Sequence, residues 1–236
     1  MTANRPSNVL PNAMPWPIFE KLRDKRVVLA SSSPRRKDIL ENVGFRPEII
    51  ASTFDEKLPK GMFEERLADY PVATAGEKAM EVYERLMKEN DADPADIVIS
   101  ADTVVIFPPE NETHREGREL AVDAKRGAER SEILEKPANK EEQARLLGLM
   151  SGRSCEVVTA VCIVHPTVEA PGFKLQSISC TTTVHFFENT KETIQAYVDH
   201  GEGSDRAGGF AIQGLGGLLI DRIDGSYDNT VGSGSG

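Results

Sequence analysis

Val27-Val28-Leu29-Ala30-Ser31-Ser32-Ser33-Pro34-Arg35-Arg36 carries the fold of this chain. Its apolar half gives way at once to turn residues, and Lys37 through Val43 is amphipathic. That order predicts a buried strand, a tight turn and a new helix, with Gly44 ending the helix. Ser33 stands where an N-cap is expected, and Pro34 suits the first helical position, where no N–H is required. Arg35, Arg36 and Lys37 crowd the first turn, where the helix dipole disfavours each cation by roughly 0.3–1 kcal/mol unless an anion is present. Free backbone N–H groups, serine hydroxyls and two guanidinium forks suit a phosphate. A solvated basic turn paired with nearby acids is the plainer reading, so the other segments must decide.

Outward from this stretch, Phe45 to Ala51 reads as a short strand leading into Ser52-Thr53-Phe54-Asp55-Glu56. Carboxylates beyond a strand end are commonly loop decoration, although strand ends in α/β sheets also line ligand crevices. Ala75, Ala79, Val82 and Leu86 recur at helical spacing over Val72 to Met87. Lys78 lies in that helix and reads first as a solvated residue. Asp96 to Ile106 is a near-continuous apolar run, the pattern of a central strand buried on both faces. Asp102 interrupts it. An ionised carboxylate there costs several kcal/mol unless compensated, either by neighbouring backbone N–H groups or, more pointedly, as a metal ligand or general base.

Phe107 to Glu132 mixes charges of both signs and reads as an exposed insertion. Ile133-Leu134-Glu135-Lys136-Pro137 follows, placing Lys136 in a proline-fixed turn. Asn139 with Glu142 then forms a capping-box signature for a helix ending near Gly152. Cys155–Val164 and Ser177–Phe187 read as strands. Asn189 with Glu192 is a second capping-box candidate, for a helix that stops at Gly201. Arg206 to Gly217 is glycine-rich and includes Gln213, a weak signal by itself. Leu218 to Ile223 is a last strand.

At 236 residues the chain can build one sizeable α/β core. Its net charge of −10 argues against a general nucleic-acid surface, while clustered cations can still hold a small polyanion. Cys155, Cys162 and Cys180 form no CxxC pair and read as apolar fillers in a reducing compartment. Neither these nor the four histidines show zinc-site spacing. No stretch is apolar enough to span a membrane or act as a signal peptide. Residues 1–25 read as a flexible leader, with Trp16, Ile18, Phe19 and Leu22 able to dock, and 233–236 as a flexible tail. A cytoplasmic location is the expectation.

Ser31–Arg36, Asp102-Thr103 and Glu135-Lys136-Pro137 put unusual polar residues at strand ends or helix starts, and Gln213 adds an amide. No GxSxG and no Walker A pattern is present. Chemistry would rest on carboxylates and metal-activated water attacking phosphorus. The ordered series ASSSPRR, TFDE, GEKA, SADTVV, EKP, SGRSCEVVTAV and GGFAIQGLGG with RIDGSYDN, from about Arg26 to Gly232, resembles the Maf family of nucleoside triphosphate pyrophosphatases.

The resemblance implies an α/β, ITPase-like (Maf/HAM1) fold over 26–232: a long twisted mixed sheet flanked by helices in two lobes, with a nucleotide cleft between them. It implies Asp102 as the acceptor of the attacking water's proton. Ser31, Ser33, Arg35 and Arg36 match the phosphate-gripping loop, and Lys78 and Lys136 the two lysines near the phosphates. Glu56 is implied to share a divalent cation, Mg²⁺, Mn²⁺ or Co²⁺, with Asp102. Arg35, Thr103 and Gln213 match the branch that acts on dTTP and UTP. The alternatives are 7-methyl-GTP or another modified nucleotide as substrate, or a non-catalytic nucleotide-binding regulator of cell division. A nucleoside triphosphate is the expected partner, a homodimer a family-level expectation, and membrane or nucleic acid is not expected. The long insertion, the leader and the extended Pro166–Phe173 connection imply a eukaryotic-type member. The family's usual Asn-Val-Val-Gly-Leu-Pro ending stands here as Asn229-Thr230-Val231-Gly232 followed by Ser-Gly repeats.

Overall fold

The buried run ahead of the serines forms strand β1 (Val27–Leu29), and Pro34 opens helix α2 (Pro34–Asn42), as the residue order requires. The computed structural model describes residues 7–89, 94–109 and 131–232. In chain order the remaining elements are α1 (Pro17–Leu22), β2 (Glu48–Ile49), α3 (Asp69–Glu89), β3 (Ile97–Phe107), β4 (Glu132–Leu134), α4 (Lys140–Met150), β5 (Ser154–Pro166), β6 (Phe173–Phe186), α5 (Lys191–His200), β7 (Ile220–Asp224) and α6 (Tyr227–Val231). Short three-ten helices lie at Lys60–Phe63, Ala207–Gly209 and Leu215–Leu219.

The seven strands make one mixed sheet in the order β2-β1-β3-β5-β6-β7, with β4 also on β3. β1 runs parallel to β2 and β3, and the remaining pairings are antiparallel. This is the mixed α/β architecture expected. β3 is the axis. One flank pairs continuously with β5 from Val98 to Ile106. The other pairs with β1 at Ile97–Ile99 and with β4 at Val105–Phe107. Neither short strand is in register with residues 100–104. Because β1 is parallel to β3 and β4 antiparallel, their C-terminal ends point toward each other across that gap. The Ser31–Arg36 turn and the Glu135-Lys136 turn therefore open onto the flank of Asp102.

Helix α3 lays Ala75, Ala79, Val82 and Leu86 over Val28, Val98, Ala160 and Cys162. Helices α4 and α5 cover Val105, Val157, Val184 and Phe186 around Phe210. Residue 102 lies between the two apolar clusters along β3, so the site forms where they meet.

Several sequence expectations shift. Ser33 flanks α2 but makes no side-chain capping bond. The Phe45–Ala51 strand shrinks to Glu48–Ile49, both exposed, on the sheet edge. Asn139 does cap α4, accepting from Glu142 N–H at 2.8 Å. Thr190, not Asn189, caps α5, accepting from Thr193 N–H at 3.2 Å, while Asn189 Nδ2 donates to Phe187 and Leu219 carbonyls. Ahead of Arg26, helix α1 is in place and Phe19 stacks on Phe45 at 6.0 Å, whereas Trp16 and Ile18 stay exposed. Most of the 107–132 insertion lies outside the described residues, as does the 233–236 tail. Its two end residues belong instead to the sheet, Phe107 pairing with Glu132. Cys155 and Cys162 are buried and unpaired, burial pushing the Cys155 thiol far up and that of Cys162 to about 11, as fillers require; Cys180 is exposed.

Phe210 has no exposed surface and meets Phe186 edge-on at 5.1 Å. Phe210→Ala should cost about 3–5 kcal/mol, the usual range for emptying a buried aromatic position, read as a lower denaturation midpoint with an unchanged slope. A loss within experimental error would show that the α4–α5 cluster does not depend on it.

Candidate functional site

Asp102 side chain alternation on β3 aims it at α3, along with Ser100, whose hydroxyl bonds the Ala75 carbonyl. Asp102 is 3% exposed and Lys78, one turn on from Ala75, is 5% exposed. Lys78 Nζ lies 3.0 Å from Asp102 Oδ1 and 2.6 Å from Glu56 Oε1. The compensation for Asp102 is thus an ammonium rather than backbone N–H groups, and Lys78 is not a solvated residue. Burial pushes the Asp102 carboxyl above its ordinary value; Lys78 and then Arg36 pull it back, and Glu56 adds to the rise.

Thr103, the next residue, points to the opposite face. Its Oγ1 accepts from Arg36 Nη2 at 3.3 Å and lies 3.0 Å from Thr159 Oγ1. Arg36 Nη1 also donates to Ser31 Oγ at 3.2 Å, and the same hydroxyl accepts from Ser33 N–H at 3.2 Å. Burial lowers the Arg36 guanidinium, Asp102 and Glu56 hold it up, and Arg35 lowers it further. Ser31, Ser33 and Arg36 are therefore a buried scaffold braced on β3. Arg35 lies alongside, its Nη1 3.6 Å from Asp205 Oδ2.

A cleft of about 300 Å³ opens at Asp102 and Thr103, lined also by Glu56, Lys60, Tyr70, Lys136 and Ala207; Ser31, Ser33, Arg35 and Arg36 are not among its lining residues. Lys136 is exposed on its rim. Glu56, Lys78, Asp102, Thr103, Arg36 and Ser31 are joined by contacts, and Lys136 shares the cleft. Gln213 stands exposed on the turn before Leu215 and is not among the cleft-lining residues.

Three contributors escape the sequence reading. Tyr70 holds the Glu56 backbone, its hydroxyl donating to the Glu56 carbonyl at 3.3 Å. Lys60 pairs with Glu135 across the cleft mouth. Glu81 fixes the loop that carries Glu56: its carboxylate accepts from Ser52 Oγ at 2.8 Å, Thr53 N–H at 3.0 Å, Thr53 Oγ1 at 3.0 Å and Arg85 Nε at 2.8 Å. Only the helical Glu81–Arg85 spacing was visible in sequence; the loop partners are 28 or 29 positions away.

Partial burial opposes ionisation of Glu81, yet the bonds from Arg85, Thr53 and Ser52 outweigh it and hold the carboxyl down at about 2. A depressed folded value means the clamp stabilises the fold above the unfolded carboxylate value. That stability is lost as pH falls from about 4.5 toward 2. Glu81→Gln should remove about 1–2 kcal/mol at neutral pH and flatten stability across that acid window, measured by denaturation at stepped pH. An unchanged acid slope would dismiss the clamp.

The sequence of residues 26–233 matches the family model described as Maf-like protein. A dTTP/UTP pyrophosphatase of Schizosaccharomyces pombe is 39% identical over 221 residues, covering 91% of this chain and 81% of the relative. One of Bdellovibrio bacteriovorus is 36% identical over 206 residues, covering 87% and 91%. A Homo sapiens protein described as a probable bifunctional dTTP/UTP pyrophosphatase/methyltransferase is 38% identical over 218 residues. This chain is matched over 92% of its length there and spans only 31% of that longer protein. With the match running through β1, the Asp102 strand, the Lys136 turn and the glycine-rich segment, the chain belongs to the Maf family.

Proposed function

We propose that the cleft is the active site of a nucleoside triphosphate pyrophosphatase acting on dTTP and UTP and releasing the monophosphate and pyrophosphate. The observation that carries this reading is Asp102, a carboxylate buried in a central strand and held by Lys78 beside Glu56, with Lys60 and Lys136 lining the same cleft. The names of the relatives support the reaction and the nucleotides.

In this reading Asp102 takes a proton from water as the water oxygen bonds to the α-phosphorus. The bridging P–O bond to the β-phosphate breaks, and pyrophosphate departs with the bond's electron pair. A carboxyl raised above its ordinary value is a better proton acceptor than a solvated one. Lys136 on the rim and Arg35 attract the polyphosphate as charge-assisted donors. Arg36 is tied to Ser31 and Thr103, so it presents a fixed positive charge beneath the site. Thr103 acts through Arg36, and Tyr70 and Glu81 hold Glu56 in place.

Glu56 and Asp102 converge on a single cation position, the Lys78 ammonium. Two carboxylates with room for phosphate oxygens fit Mg²⁺ or Mn²⁺, which bind through one or two carboxylates plus substrate. No group of three His, Cys, Asp or Glu suited to a metal occurs among the described residues, so substrate and water would complete the shell. Bound beside these carboxylates with Lys78 in place, the ion would supply Lewis-acid polarisation and neutralise developing charge. The three free cysteines support a cytoplasmic setting, and no helix among the described residues is long and apolar enough to cross a membrane. Among the described residues β7 pairs only with the last part of β6, from Thr183, and the edge left uncovered there supports a homodimer.

Asp102→Asn should lower kcat for dTTP by about 10²–10⁴, the usual worth of a positioned base, while dTTP still binds. Wild-type turnover in that variant would remove Asp102 from the chemistry. In a panel of nucleoside triphosphates with Mn²⁺, dTTP and UTP should release pyrophosphate fastest. A preference for 7-methyl-GTP would replace the substrate assignment, and dTTP binding without any pyrophosphate would make the chain a regulator.

A further inference from the structure

Arg206 opens the glycine-rich segment and has no role among those assigned above. Its side chain is 14% exposed and it lies beside Arg35, itself 15% exposed. The two guanidinium groups share a counterion. Arg35 Nη1 is 3.6 Å from Asp205 Oδ2 and Arg206 Nε 3.8 Å from Asp205 Oδ1, both beyond hydrogen-bond reach, and Asp205 is 67% exposed. The Nε atoms of both arginines are buried without a hydrogen-bond partner among the described residues. Burial and then the neighbouring Arg35 both work against the Arg206 charge. Two half-buried forks, with buried unpartnered Nε atoms and offset by the loosely held Asp205 and by Glu202, would be satisfied better by a multivalent oxyanion.

The backbone ties this place to the cleft. Arg206 precedes Ala207, which lines the cleft with Asp102 and Thr103. Gly208 N–H donates to the Glu135 carbonyl at 3.1 Å, one residue before Lys136. Gly208 has φ +71 and a Cβ there would come within 3.4 Å of Val105, so the turn is set closely against β3. Arg36, next to Arg35, reaches Thr103 from the other side.

We propose that Arg206 is a further phosphate-binding residue, forming with Arg35 a two-arginine seat for the substrate polyphosphate from which Asp205 is displaced. The inference rests on the pyrophosphatase reading and deepens it by giving the phosphates a second strand of contacts, from the glycine-rich segment. Asp205 competes with phosphate for the same forks and so weakens substrate binding.

Steady-state kinetics on dTTP with Arg206→Gln and Asp205→Asn test it, because displacement requires opposite signs. Arg206→Gln should raise KM about tenfold or more, the size of a lost charge-assisted bond, and change kcat far less. Asp205→Asn should lower KM. Arg206→Lys, which keeps the charge and loses the fork, should recover part of the affinity. An Asp205–Arg206 pair that only supports the turn would shift both variants the same way; that result, or an unchanged KM in Arg206→Gln, overturns the proposal. Calorimetric binding of inorganic triphosphate to the same proteins needs no turnover and separates the two readings. Weaker triphosphate binding in Arg206→Gln supports the seat even if no nucleotide is hydrolysed, and equal binding overturns it whatever the activity.

Discussion

The contact on which the rest of the structure depends is Lys78 Nζ to Asp102 Oδ1 at 3.0 Å, with both side chains almost fully buried. Removing two such ions from water costs several kcal/mol each, and mutual attraction recovers this only with good geometry and further bonds. Stability alone would favour an apolar pair. Lys78 meets its remaining need with Glu56, which arrives from a loop instead of a regular element. The fold must therefore hold that loop firmly, and it does so at two points, through Glu81 and the Tyr70 hydroxyl, both on α3. The polar centre sets the requirement, and the surrounding clamps meet it.

The sheet supplies the place. A strand paired on both flanks along its whole length would leave no strand-end turn beside residue 102. β1 and β4 each stop short, at Leu29 and Leu134, and the intervening stretch of β3 is flanked by their outgoing turns. Interrupted pairing costs a few ladder hydrogen bonds. In return, two turns rich in cations meet a strand rich in apolar residues, and residues 102 and 103 can serve opposite faces. The glycine-rich segment closes the third side. Gln143 on α4 fixes it by donating from Nε2 to the Glu202 and Gly209 carbonyls at 2.7 and 2.9 Å, and Tyr197 on α5 accepts from Ala211 N–H at 3.1 Å.

Much of this was legible because it is local. The apolar run of β3, the Pro34 start of α2, the Asn139 cap and the helical stripe of α3 each follow from residues within a turn or a strand of one another. Asp102 stood out for the same reason, as one charge in a buried run. Its partner did not: Lys78 sits on a helix whose spacing says which face is apolar but not that a lysine on it is covered. The Glu81 clamp and the Asp205 bridge were invisible because their partners are far away in sequence and each residue type is ordinary on a surface. Ser33 and Asn189 show the converse error. Both satisfied a capping rule, yet Ser33 is buried without capping α2, and the Phe187 and Leu219 carbonyls claim the Asn189 amide.

An acidic chain that gathers cations in one cleft has a consequence for what it can hold. The segments converging on the cleft bring Arg35, Arg36, Lys60, Lys78, Lys136 and Arg206 against Glu56, Asp102, Glu135 and Asp205, a local excess of positive charge within a net charge of −10. Charges beyond about 8 Å are largely screened at physiological salt, so a small polyanion inside the cleft meets the local excess. That local excess comes from where the arginines fall rather than from how many there are.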